Sequence, residues 1–404
     1  MQTLEPAKQA SLDGQPKAIY GSDDRKDTYA VQDANLRRWA AATCVLIPSS
    51  TVQLQPDGTY DLKTKPWTRT IKVESPGVIT TYYGVVPCLG EPFATQPIVD
   101  LGESQGLCTA FLVMPDVVMT AGHCVEDVAD LADKRFVFGF EMEDANTAVT
   151  KFAADRVYTG VELLGRTRNN ELDYAIIRLD RTVMVEGIVP LEMRSEGELA
   201  EGTTVGVVGH PSALPQKISF GENTRVTGVG RFAFVANLDT YGGNSGSPVI
   251  NADTGQVEGI LVEGQNDFIF DPPPRWCFYS DRYLDSECGE TVLKITAIPE
   301  LSELVSLAPS IIEQPISQAA VQSGSQLILR VRANGTAPMS YQWQLHGTDK
   351  PGANEASFII PTATIADAGS YRVMVSNSRG SVISSASEVS IASGGVSTFG
   401  NSSP

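Results

Sequence analysis

Between residues 108 and 262 the chain consists of short runs rich in Val, Ile, Phe and Thr, broken about every ten residues by Gly, Pro, Asp or Asn. Runs at 108–113, 117–120, 135–140, 154–158 and 174–179 form one group. Runs at 204–209, 217–220, 224–229, 232–238, 248–251 and 257–262 form a second. Segments this short cannot make helices of ordinary length, but they suit strands that alternate with tight turns. Two groups of about six such strands predict an all-β fold, a double six-stranded β-barrel. Leu301, Leu304 and Val305 share a face in a helix predicted over 293–307, which closes the second group.

The flanks read differently. Residues 1–17 are polar and aperiodic, as expected of a leader or pro-segment, and order is predicted to begin at Lys17-Ala18-Ile19-Tyr20-Gly21. Val31, Leu36, Trp39 and Ala40 share a face of a helix predicted within 30–42. A strand is expected at 44–47 and a hairpin around Pro56-Asp57-Gly58. Ala308-Pro309-Ser310 reads as a linker, and residues 311–392 alternate in period two. The expected organisation is thus a leader at 1–17, a main domain at 18–307 with barrels at about 90–200 and 201–307, a second domain at 311–392, and a Gly/Ser-rich flexible tail at 393–404.

A formal charge of −18 and a pI near 4.6 argue against nucleic acid and anionic membrane surfaces as partners. No apolar run approaches the roughly 18–20 residues of a membrane span. Met1-Gln2-Thr3-Leu4-Glu5-Pro6 lacks the apolar core of a signal peptide. Six cysteines fit an oxidising compartment, so the expected location is extracellular, with the signal peptide absent from this chain. His123, His210 and His346 are far apart and no Cys-x-x-Cys pair occurs, so neither a metal nor a cofactor is expected.

The chemistry centres on Tyr241-Gly242-Gly243-Asn244-Ser245-Gly246-Ser247-Pro248. Small residues around Ser245 let a carbonyl approach, and the backbone N–H groups of Gly243 and Ser245 can turn together toward a developing oxyanion. Alone, such a run is a common turn. A nucleophilic serine also needs a base, and His123 stands in Thr120-Ala121-Gly122-His123-Cys124 at the end of a predicted strand. Asp173 heads the apolar run Tyr174-Ala175-Ile176-Ile177, where an acid is costly unless it is paired. Singly, the histidine reads as structural and the aspartate as a turn residue. Together they supply nucleophile, base and orienting acid.

These three stretches resemble the chymotrypsin-fold (trypsin-like) serine peptidases, most of all the bacterial branch of glutamyl endopeptidases of V8 type, over about residues 18–307. The resemblance implies a chymotrypsin-like double barrel with the site in its cleft, His123 as general base, Asp173 as its orienter, Ser245 as nucleophile, and Gly243 and Ser245 as oxyanion donors. It also implies a Cys108–Cys124 bridge pinning the histidine loop. Cys277 and Cys288 lie 11 positions apart around Pro- and Asp-rich sequence and are expected to close a local loop, which leaves Cys44 for Cys88.

Two segments are expected to line the pocket for the residue before the scissile bond: Asp239, Thr240, Tyr241 and Gly242 on one side, Val262, Glu263 and Gly264 on the other. In trypsin-like relatives an aspartate at the place of Asp239 selects Lys or Arg, as a buried carboxylate facing a cation would. Glutamyl specificity is the alternative, although the strand at 259–264 lacks the histidine that such relatives carry there. His210 reads as structural. The V8-type mature terminus resembles Ala18-Ile19-Tyr20-Gly21-Ser22-Asp23-Asp24-Arg25, which implies a zymogen cut after Lys17. The expected activity is that of a secreted serine endopeptidase acting on proteins or peptides. A binding or adhesin protein on a peptidase fold is the rival from another class.

Residues 311–392 resemble the Ig-like domains appended to bacterial secreted proteins, with Trp343 as core tryptophan and Tyr371 as tyrosine corner. Val331 and Val373 stand where the inter-sheet cysteines usually are. Such a domain is either a spacer or a binder of a surface, glycan or protein.

Overall fold

The computed structural model describes residues 18–75, 78–102, 106–284, 289–301, 309–335, 338–377 and 380–392. The chain divides into two compact units, Met1–Pro299 and Glu300–Pro404.

Two antiparallel sheets carry the first unit, and the fold is all-β as expected. One sheet has seven strands in the order Val157–Tyr158, Lys134–Phe138, Thr43–Pro48, Cys108–Met114, Val117–Thr120, Asp173–Leu179 and Gly160–Arg168. The other has eight: Val226–Val229, Ala233–Ala236, Glu290–Lys294, Val257–Glu263, Pro248–Asn251, Val205–Gly209, Lys217–Ser219 and Arg25–Asp27. The strand counts exceed six because segments distant in sequence join each sheet. Thr43–Pro48 is buried at every position and sits in the middle of the first sheet, so that half of the fold starts well before residue 90. A run apolar on both faces belongs in the interior of a sheet, not at its edge. Arg25–Asp27 instead adds an edge strand to the second sheet, where Asp27 pairs with the buried Lys217 at 2.7 Å.

The predicted closing helix is corrected over its first part, 293–297. Leu293 lies in the strand Glu290–Lys294, opposite Ala233 and Ile260, the 3-10 turn Ile295–Ala297 follows, and among the described residues of that stretch only Leu301 is α-helical. Residues 302–307 lie outside the described residues. The earlier helix is present as Ala34–Ala41, where the Asp33 side chain accepts from the backbone N–H groups of Asn35 and Leu36. Among the described residues no helix is long and apolar enough to cross a membrane.

In the second unit, the strands Gln318–Gln322, Ser387–Ala392, Gly369–Asn377, Ser340–Leu345 and Thr348–Asp349 lie side by side, while Leu327–Arg330 pairs with Ser357–Ile360. Trp343 is fully buried at the centre, with Phe358 stacked at 5.9 Å and its indole N–H donating to the Glu355 carbonyl oxygen at 2.9 Å. Val331 and Val373 are both in this core, so apolar packing fills the place of a bridge.

Candidate active site

His123 is carried by the 3-10 turn Gly122–Cys124, directly after the strand Val117–Thr120. Asp173 opens the adjacent strand, and Thr120 opposite Ala175 fixes the register that brings the two side chains together. His123 Nδ1 lies 2.6 Å from Asp173 Oδ2, and the His123 backbone N–H donates to Oδ1 at 2.8 Å. Gly122 permits this approach. A Cβ there would overlap the Thr167 carbonyl oxygen and stand 2.9 Å from Asp173 Oδ1. Burial alone would raise the Asp173 carboxyl, but the hydrogen bonds and charge of His123 outweigh it and the net shift is downward. With Nδ1–H donating to the carboxylate, Nε2 is left as the basic nitrogen of the neutral ring.

The Ser245 loop is pressed against this same corner. A Cβ on Gly246 would overlap Thr120 Oγ1 and the Thr109 carbonyl oxygen, and would lie 2.9 Å from the backbone nitrogen of Ala121. Gly243 (φ +102°) and Gly246 (φ +85°) take conformations that favour glycine, on either side of Asn244-Ser245. Thr109 holds the loop twice, its N–H donating to the Ser245 carbonyl at 2.8 Å and its hydroxyl to the Gly243 carbonyl at 2.9 Å. The Cys108–Cys124 disulfide joins the strand carrying Thr109 to the turn carrying His123.

The expected pocket residues separate into those that face one another and those that do not. Asp239 is 2% exposed and its two oxygens accept the backbone N–H groups of Tyr20 (2.7 Å) and Asp24 (2.8 Å). It therefore anchors the N-terminal segment, and its expected place as the pocket floor is corrected. Burial, reinforced by the nearby Asp24 charge, pushes its carboxyl up to about 8. Tyr241 is likewise corrected from pocket wall to core. Its ring lies 3.8 Å from the Arg25 guanidinium and 4.5 Å from Phe268, and its hydroxyl meets Ser280 Oγ at 2.5 Å. Gly242 N–H donates to Asp267 at 3.0 Å, Val262 is buried, and Glu263 points to solvent. Thr240 and Gly264 do converge, on a residue the sequence reading missed. Thr240 Oγ1 donates to Glu290 Oε2 at 3.0 Å, and a Cβ on Gly264 would overlap that carboxylate. The available signal was the one used for Asp173, a single acid heading the apolar run Thr291-Val292-Leu293.

His210 is fully buried, stacked on Phe140 at 5.9 Å, and burial lowers its imidazole to about 3. It is neutral at physiological pH and structural, as read.

Two of the expected bridges are corrected. Cys88 pairs with Cys277, because the strand Cys277–Ser280 runs parallel to Val78–Pro87 with Cys277 opposite Val86. Cys44 is a free thiol inside the first sheet, opposite Ala110 and Phe138, and burial pushes its pKa up. Cys288 lies outside the described residues. Among the described residues the groups close enough to share a metal are Cys108/His123/Cys124 and Cys88/Asp271/Cys277, and every cysteine in them is disulfide-bonded and offers no thiolate.

Residues 108–260, which contain His123, Asp173 and Ser245, match the family model of the trypsin-like peptidase domain. This part of the chain is a trypsin-like peptidase domain. Residues 308–377 match the immunoglobulin domain. A glutamyl endopeptidase of Bacillus licheniformis is 25% identical over 170 residues, 40% of this chain and 51% of that protein. A decoration protein of Escherichia phage T5 is 43% identical over 61 residues, 15% of this chain and 37% of that protein. The chain thus spans about half of one curated relative and little over a third of the other. A solved Glu endopeptidase in complex with MPD covers 71% of this chain and 97% of its own, at 16% identity and a TM-score of 0.37.

Proposed function

We propose that the trypsin-like peptidase domain is a serine endopeptidase working through His123, Asp173 and Ser245. The observation that carries this is the doubly bonded His123–Asp173 pair beside the Ser245 loop. Nε2 of His123 takes the Ser245 hydroxyl proton as Oγ attacks the substrate carbonyl. Asp173 fixes the tautomer and stabilises the imidazolium. The Gly243 and Ser245 backbone N–H groups receive the oxyanion, His123 returns the proton to the leaving amine, and water then hydrolyses the acyl-enzyme by the same route.

The substrate is a protein or peptide, cut after a Lys or Arg. Buried acids around Thr240 and Gly242 favour a cationic side chain and disfavour a glutamate. The enzyme acts outside the cell, where Cys88–Cys277 and Cys108–Cys124 persist. Residues 1–17 are removed by a cut after Lys17, since Ala18 and Ile19 are already fully buried in the peptidase unit. The immunoglobulin domain is a spacer or binds a surface, glycan or protein.

The test is digestion of a denatured protein mixture by wild type and Ser245→Ala, with the cut sites mapped. Cuts after Lys and Arg that vanish in the variant support the reading. Cuts after Glu keep the triad and replace the specificity. Partner binding with no turnover by any form of the protein would favour the adhesin rival.

A further inference from the structure

We infer that Asp267 is a positioning residue for the oxyanion site: its carboxylate and the Ser212 backbone N–H clamp Gly242 from both sides and so aim the Gly243 N–H at the developing oxyanion. This rests on the peptidase reading and names what holds the donor of that reading in place.

The need for a clamp follows from the sequence. Gly242 and Gly243 are consecutive glycines, and with no Cβ on either residue the peptide plane between them can turn over at little cost. One orientation offers the Gly243 N–H to an oxyanion. The other offers the Gly242 carbonyl oxygen, which would repel it. A trans peptide points its C=O and N–H in opposite directions, so whatever holds the Gly242 carbonyl also aims the Gly243 N–H.

Both ends of Gly242 are held. Its N–H donates to Asp267, 3.0 Å from Oδ2 and 3.3 Å from Oδ1. Its carbonyl accepts from the Ser212 N–H at 2.6 Å. The Gly243 N–H is thereby turned away from Ser212. The two holding groups are themselves fixed. Asp267 is 6% exposed, its own carbonyl accepts from the Asp281 N–H at 2.8 Å, and the next residue, Phe268, packs on Tyr241 at 4.5 Å and Phe278 at 5.0 Å. Ser212 (φ +52°) and Ala213 (φ +64°) are consecutive non-glycine residues in the left-handed region, a conformation that persists only where the surroundings impose it. Arg69 ties the two sides together. Its guanidinium lies 4.6 Å from the Phe268 ring, and Nη1 donates to Ser212 Oγ at 3.3 Å.

The first measurement is amide hydrogen exchange by NMR in the Ser245→Ala protein, which needs no turnover and reads the clamp whether or not the chain cuts peptides. Adding Asp267→Ala should speed exchange at the Gly242 N–H about tenfold or more. Adding Asp267→Asn, whose amide oxygen still accepts, should leave it within about threefold. The second measurement is kinetic. In the active enzyme Asp267→Ala should lower kcat about 100- to 1,000-fold, the cost of one lost oxyanion donor, with KM changed less than about twofold. The affinity of a peptide aldehyde, whose adduct with Ser245 carries an oxyanion, should fall by the same factor. The substrate peptide should bind Ser245→Ala and Ser245→Ala/Asp267→Ala equally. Asp267→Asn should restore kcat to within about tenfold of wild type. Asp267→Leu, similar in shape but with no acceptor, serves if Asp267→Ala fails to fold. Unchanged exchange at Gly242 would overturn the assignment. So would an unchanged kcat in Asp267→Ala, a change in KM alone, or an Asp267→Asn enzyme as slow as Asp267→Ala. Faster exchange in Asp267→Ala with no turnover by wild type would leave the clamp standing and sink the peptidase reading.

Discussion

Asp173 grips His123 at two points, through Nδ1 of the ring at 2.6 Å and through the backbone N–H at 2.8 Å. The second bond matters because it fixes the turn as well as the ring. Asp173→Asn keeps the shape, but the amide can present N–H to Nδ1 and so favours the wrong tautomer. The expected loss in kcat is about ten-thousandfold, with KM little changed, against about a millionfold for Ser245→Ala. Steady-state kinetics on a peptide ester checks both.

The same corner predicts a cost for a single methyl group. Gly122→Ala would place Cβ on the Thr167 carbonyl oxygen and 2.9 Å from Asp173 Oδ1. Backbone oxygen cannot yield cheaply, so Asp173 has to move off His123. The expected result is a fall in kcat of about 100-fold or more with a melting temperature lowered only moderately, since the strand ladders are untouched. Unchanged kcat would mean that the turn relaxes without disturbing the pair.

Much of this site was legible in the sequence because its residues sit in local contexts that chemistry constrains. Small residues surround Ser245 and His123, and an acid heads a buried strand at Asp173. What escaped was pairing between distant segments. Cys277 found Cys88 through a parallel strand contact 189 residues away, which no local spacing displays. Asp239 stands at the right offset from Ser245, yet the N-terminal strand Ile19–Tyr20, held against Arg282–Tyr283, claims its carboxylate. Glu290 was hidden for the same reason. Its contacts are with Thr240 and Gly264, fifty and twenty-six positions upstream. Strand existence was readable from alternation, while strand neighbours depend on which faces are buried in three dimensions.

The bridge assignment is open to direct mapping. Non-reducing digestion should yield a peptide carrying Cys88 linked to one carrying Cys277, and Cys44 should stay unlabelled by an alkylating reagent until the protein is unfolded. Replacing Cys88 and Cys277 by serine should cost about 2–5 kcal/mol, since the bridge closes a long loop. Denaturant melts of the two forms measure it.

Asp239 makes stability depend on pH with a definite sign. Its folded pKa, about 8, lies above the ordinary aspartate value of 3.8. The protonated carboxyl is therefore favoured by folding. That contribution is fully present below pH ~4, is lost as the pH rises toward ~8, and is constant above that. Asp239→Asn mimics the neutral acid and removes the dependence. The melting temperature of the variant should gain on that of wild type between pH ~4 and ~8, and the two curves should run parallel at higher pH. A gap that narrows over this window would mean that the carboxylate form is the one the N-terminal segment prefers.

The immunoglobulin unit supplies a prediction independent of the catalytic chemistry. Tyr371 is fully buried and its hydroxyl donates to the Asp367 carbonyl oxygen at 2.8 Å, across the turn that leads into the strand Gly369–Asn377. Tyr371→Phe keeps the ring packed against Phe358 and leaves one carbonyl without its donor, a cost of about 1 kcal/mol. Trp343→Ala opens a cavity at the centre of the same core and costs about 3–5 kcal/mol, a large share of what holds a domain of this size. Since the chain divides into two compact units, calorimetry should resolve two transitions. Both substitutions should lower one of them, Trp343→Ala the more, while the other transition and peptide-ester turnover stay at wild-type values. A shift of both transitions together would show that the units unfold as one.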